Sequence, residues 1–110
     1  MQDRYQAASD LFHVLSHPVR LQILDELRRG SACVCHLEAV LDRPQAYVSQ
    51  QLRVLREREI VSDRRDGLFV YYRLIDEQVE RLLEQALGPV SERADLSDCA
   101  CPHCTAALTA

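Results

Sequence analysis

The chain has 110 residues, 47% of them hydrophobic and 27% charged, and carries a formal net charge of −4. That is one soluble domain near the lower end of what buries a self-sufficient core, so a partner subunit is expected to contribute. No apolar run approaches the ~20 residues that cross a bilayer, and Met1-Gln2-Asp3-Arg4 opens without a signal-peptide core, so the expected setting is cytoplasmic with no membrane partner.

The acidic total conceals an uneven distribution. Between residues 43 and 73, seven arginines face four acids, a local net of +3, whereas residues 74–98 carry seven acids against two arginines. Local sign governs docking on phosphate more than net charge does. All the basic residues are arginines. Arginine suits bidentate contact with phosphate and guanine, although genomic base composition explains an absence of lysine equally well.

In chain order, the spacing of Ala8, Leu11, Phe12 and Leu15 predicts a helix over roughly Arg4 to Ser16. Pro18 then suits the first turn of a second helix with Ile23, Leu24 and Leu27 inward, closed by Arg29-Gly30. Ser31 is the expected N-cap of a short third helix through Leu41, with Val34, Leu37 and Leu41 buried. A fourth helix runs from Pro44 to about Glu57 on Val48, Leu52 and Leu55, and its other face presents Gln45, Tyr47, Ser49, Gln50 and Arg53. The period then changes to two, and Asp66-Gly67 between Ile60–Arg65 and Leu68–Arg73 predicts a β-hairpin. A fifth helix follows from Asp76 to Leu87, striped by Val79, Leu82, Leu83 and Ala86 and ended by Gly88-Pro89.

These elements predict an α+β, mainly α fold. It is a winged helix-turn-helix with about five helices and one hairpin wing, homodimeric, with residues 1–90 as the DNA-binding and dimerisation domain and 91–110 as a cysteine-bearing tail. The fourth helix would enter the major groove, where base pairs present distinct donor and acceptor patterns. Gln45, Tyr47, Ser49, Gln50 and Arg53 would contact operator DNA there, and Arg64 and Arg65 would reach flanking phosphate or minor groove from the hairpin.

Five cysteines in a reducing compartment point to metal binding, redox sensing or plain burial rather than structural disulfides. Cys33 and Cys35 stand at the start of the third helix, where the helix dipole favours the thiolate. Residues two apart in a regular helix point about 200° from each other. They can share an ion only where the helix is not yet regular. By the same reasoning, a mutual disulfide is not easy there, and a redox bond would run to the tail thiols Cys99, Cys101 and Cys104.

From about Leu11 to Leu74 the sequence resembles the ArsR/SmtB family of bacterial metal-sensing repressors. The segments that carry the likeness are Leu15-Ser16-His17-Pro18-Val19-Arg20-Leu21-Gln22-Ile23-Leu24, Val48-Ser49-Gln50-Gln51-Leu52-Arg53-Val54-Leu55 and Gly67-Leu68-Phe69-Val70-Tyr71-Tyr72-Arg73-Leu74. Cys33-Val34-Cys35 resembles the motif of the arsenic, cadmium and lead sensors within it. The resemblance implies a dimer through the first and fifth helices and an operator released by an inducer. It also implies a third cysteine shortly after the pair, where this chain has Leu37-Glu38. Cys99, Cys101 and Cys104 are the candidate replacements, from either subunit, with His36 and His103 as further possible ligands. Three thiolates suit As(III) or Sb(III), and four suit Cd(II), Pb(II) or Zn(II). The family's other zinc site, on the fifth helix, is reduced here to Asp76 and Glu92, with Gln78 and Pro89 in place of its histidines, and is not expected to function.

Two further readings stay beside this one. The thiols could be a redox switch on the same fold, with the tail as a structural zinc site. Cys33 and Cys35 could merely fill core space. An enzyme is not expected, because Cys101-Pro102-His103-Cys104 lacks the flanking strand and helix of a thiol oxidoreductase, and no phosphate loop or activated nucleophile is present.

Overall fold

A computed structural model describes residues 2–92, which form eight elements in chain order: α1 (Gln2–Leu15), α2 (Pro18–Arg28), β1 (Ala32–Cys33), α3 (Val34–Leu41), α4 (Gln45–Glu57), β2 (Val61–Asp66), β3 (Phe69–Leu74) and α5 (Glu77–Leu87). The five expected helices and the hairpin are present, so the fold is the α+β winged helix-turn-helix. Cys99, Cys101, His103 and Cys104 lie outside the described residues.

Pro18 opens α2 at its first turn, where a missing N–H costs nothing. Asp76 caps α5 by accepting a hydrogen bond from the Val79 backbone N–H at 3.1 Å. The core joins Ile23, Leu24 and Leu27 of α2, Leu37 of α3, Val48, Leu52 and Leu55 of α4, and Val79 and Leu83 of α5. Val48, Leu52 and Leu55 are fully buried, so α4 is seated on that core along its whole inner face. Polar contacts add to this. Gln51 falls on the same face, and its Oε1 accepts from Arg20 Nε at 2.8 Å. Arg20 also donates to the Val14 carbonyl, tying α1, α2 and α4 together.

Three features differ from expectation. Ser31 does not cap α3, because residues 32–33 first pair with the hairpin as a short strand, and Cys33 becomes the N-cap. The hairpin turn is Gly67-Leu68 rather than Asp66-Gly67, with Asp66 and Phe69 as the closing pair. Gly67 has φ +64° and Leu68 is not in the left-handed region, so only the first turn residue needs glycine's freedom. Ala8 and Phe12 of α1 and Ala86 of α5, expected inward, are exposed in the single chain.

The sheet order is β1-β3-β2, with all pairs antiparallel. Its two faces serve different clusters. Ala32, Val61 and Tyr72 join the main core, whereas Cys33 and Tyr71 form a separate small cluster with Cys35 and Phe69 on the opposite face.

Removing the Asp76 cap (Asp76→Ala) is expected to cost about 1 kcal/mol of stability, measured by urea unfolding. Leu52→Ala, which empties the fully buried centre of α4, is expected to cost roughly 2–5 kcal/mol.

Candidate nucleic-acid interface and thiol site

The outward face of α4 carries the polar residues read from the sequence. Gln45, Gln50 and Arg53 are exposed, and Ser49 and Tyr47 are half-buried. Tyr47 leans on the core, and the Arg43 guanidinium sits 5.6 Å from its ring centroid, a cation–π contact that stiffens the turn before α4. Arg64 and Arg65 are exposed on β2. Being adjacent on a strand, they point to opposite faces of the wing. The polar face of α4 and the basic wing thus extend from one core, the arrangement of a winged-helix DNA-binding regulator.

The thiol pair lies where β1 becomes α3. Cys33 has φ −82° and ψ 167°, an extended residue, and Cys35 is already helical. That break removes the 200° divergence of a regular helix. The two cysteines are joined as a disulfide across a Cα–Cα distance of 5.4 Å, which corrects the expectation that a mutual bond is not easy. Cys33 is buried and Cys35 half-buried. The His36 backbone N–H donates to Cys33 Sγ at 3.3 Å, so the sulfur itself caps α3. A cavity of about 240 Å³ beside the pair is lined by Val34, Glu38, Gln45, Leu68, Phe69 and Val70. It therefore borders α3, the first residue of α4 and the end of the wing at once.

His36 is not exposed, and its Nε2 lies 2.7 Å from Glu26 Oε1, both side chains buried. Glu26 Oε2 accepts from Arg29 Nη1 at 3.0 Å. Next to an arginine-paired carboxylate, Nε2 is the donor, so His36 anchors α3 to α2. Arg29 also donates to Ser91 Oγ at 2.6 Å, and Arg28 donates to the Gly88 carbonyl at 2.9 Å. The chain beyond α5 is thereby fastened to the end of α2. Sequence reasoning missed this network, although Glu26 lies three residues from Ile23 on the buried face of α2. Among the described residues, no group of three or more His, Cys, Asp or Glu side chains converges as a metal site.

With this geometry, the family model for bacterial regulatory proteins of the arsR family matches residues 17–63. A transcriptional repressor SmtB homolog of Synechocystis sp. is 37% identical over 90 residues, covering 82% of this chain and 68% of the relative. A biofilm growth-associated repressor of Agrobacterium fabrum is 42% identical over 84 residues, covering 76% and 72%. Among solved structures, the antimony-specific transcriptional repressor AntR superposes with a TM-score of 0.74 at 35% identity, covering 79% of each chain. The repressor BigR from Xylella fastidiosa gives 0.72 at 35% identity, covering 86% of this chain and 96% of that one. The chain belongs to the arsR family, which consists of DNA-binding transcriptional regulators and not enzymes. No helix among the described residues is long and apolar enough to cross a membrane.

Glu26→Ala is expected to destabilise the fold by roughly 1–3 kcal/mol, because it removes the buried acceptor of His36 Nε2 while Arg29 keeps Asp25 and Ser91. Thermal or urea unfolding reads this directly.

Proposed function

We propose that this chain is a dimeric repressor that binds operator DNA in its reduced, ion-free state and is released when a thiophilic ion binds Cys33 and Cys35. As(III) or Sb(III) is the favoured inducer, with Cd(II) or Pb(II) next and Zn(II) after them. Cys99, Cys101 or Cys104, from the same or the partner subunit, would complete the site. The observation that carries this reading is the convergence of Cys33 and Cys35 at the extended-to-helical break, beside a cavity bordered by the wing and by Gln45. Each thiol that binds arsenous acid replaces one hydroxyl, which leaves as water with the thiol proton. The antimony specificity of AntR supports the same ion class.

Operator contact is assigned to Gln45, Tyr47, Ser49, Gln50 and Arg53 in the major groove and to Arg64 and Arg65 at the flanks. Arg64→Ala should weaken binding uniformly across sequences, whereas Gln50→Ala should also relax base preference. Dimerisation is assigned to α1 and α5. In the single chain Tyr5, Phe12, Leu87 and Val90 are exposed apolar side chains, a surface that a second subunit would cover. Phe12→Arg should shift the sedimentation of the protein towards monomer.

A second reading has its own support in the Cys33–Cys35 disulfide. Two thiols would lose two protons and two electrons to a hydroperoxide, and the bridged form would release DNA, with the tail holding structural zinc. One experiment separates the readings. Reduced, anaerobic protein on DNA from upstream of its own gene is titrated separately with arsenite, antimonite, cadmium, lead and zinc, followed by fluorescence anisotropy. The expected result is a roughly 5- to 150-fold loss of affinity with one thiophilic ion, abolished in a Cys33→Ser, Cys35→Ser variant. Binding that no ion disturbs, but that a peroxide weakens, would favour the redox reading.

A further inference from the structure

We infer that Tyr71 is the positioning residue that carries inducer capture at Cys33 and Cys35 into the wing, so that release begins by withdrawing Arg64 from the DNA rather than by displacing α4. The inference rests on the proposed repressor function and specifies how its thiol site acts.

The observation is a row across the sheet. Cys33 of β1 pairs with Tyr71 of β3, and Tyr71 pairs on its other side with Arg64 of β2. Directly paired residues of antiparallel strands place their side chains on the same face, with Cα atoms about 4.5–5.5 Å apart. Cys33, Tyr71 and Arg64 therefore form one file, with the buried tyrosine between the thiol and the exposed guanidinium. Tyr71 belongs to the cluster that holds Cys33, Cys35 and Phe69, separate from the main core.

A cavity borders the pair, but Cys33 itself is buried against Tyr71, so an ion that parts the two sulfurs presses on that packed side, and the displacement goes to whichever neighbour yields most easily. The elements that carry the pair are fixed: Ala32 is buried on the core face, Leu37 of α3 is fully buried, and His36 is held by Glu26. The reading helix is fixed too, by Val48, Leu52 and Leu55. The wing is different. Residues 63–68 are all exposed, and Leu68 at the turn is 95% exposed, so its outer half has little apolar burial to oppose movement. Tyr71 stands at the boundary between that outer half and the thiol cluster.

The test uses the salt dependence of operator affinity, whose logarithmic slope falls by about 0.9 for each phosphate that the protein lets go. It is run on the full-length reduced protein with and without antimonite. In the wild type, antimonite should lower both the affinity and the slope, the latter by roughly two when each wing of a dimer releases one phosphate. Arg64→Ala without ion should already show the lower slope, and antimonite should change it no further. Tyr71→Val should still bind antimonite, read by thiolate-to-metal ultraviolet absorption, yet keep the ion-free slope and affinity. Tyr71→Phe, which keeps the ring, should restore the wild-type response.

Three results would overturn the inference while leaving the repressor reading intact. They are a wild-type affinity loss with unchanged slope, a slope change that persists in Arg64→Ala, and a full response in Tyr71→Val. An operator affinity that no thiophilic ion alters would overturn the metal-sensing reading, and this inference with it.

Discussion

The pairing of two residues, Ala32 and Cys33, with the hairpin strand is the constraint on which the thiol site depends. A cysteine in regular helix geometry could not meet another two positions later. Held extended by Tyr71 and capping α3 through its own sulfur, Cys33 turns towards Cys35 instead. The same short strand makes the site part of the wing's sheet. Only β3 therefore stands between chemistry at Cys33 and an exposed arginine of the wing.

The rest of the molecule divides into what is anchored and what is free. α2 serves as the central anchor: its apolar face fills the core, Arg20 reaches Gln51 on α4, Glu26 holds His36 on α3, and Arg28 and Arg29 hold the backbone after α5. An ion pair buried this way adds little net stability, but breaking it is costly, so its effect is to fix where α3 begins. The exposed outer wing and the exposed apolar faces of α1 and α5 remain the parts open to DNA and to a second subunit.

Much of this was legible in the sequence. The helix periodicities and Pro18 gave elements within a residue or two, and the polar face of α4 followed from the burial of Val48, Leu52 and Leu55. What was not legible depended on long-range pairing. Ser31 is a good local cap, and nothing local signals that residues 32–33 will join a strand some forty residues later. Asp66-Gly67 is a strong turn signal, yet the register is set by which faces are buried, and Gly67 accommodates either turn. A one-residue shift exchanges the faces of every side chain, so the Cys33–Tyr71–Arg64 row appears only once the register is known. Phe12 and Ala8 keep the helical period of a buried face, but a single chain gives that face nothing to bury against.

The most direct test of the thiol site is X-ray absorption at the arsenic edge on reduced protein loaded with one arsenite per subunit. The expected result is a shell of sulfur neighbours that loses one member in Cys33→Ser and one in Cys35→Ser. A sulfur shell unchanged in both variants would place the inducer elsewhere in the protein and contradict the proposed site.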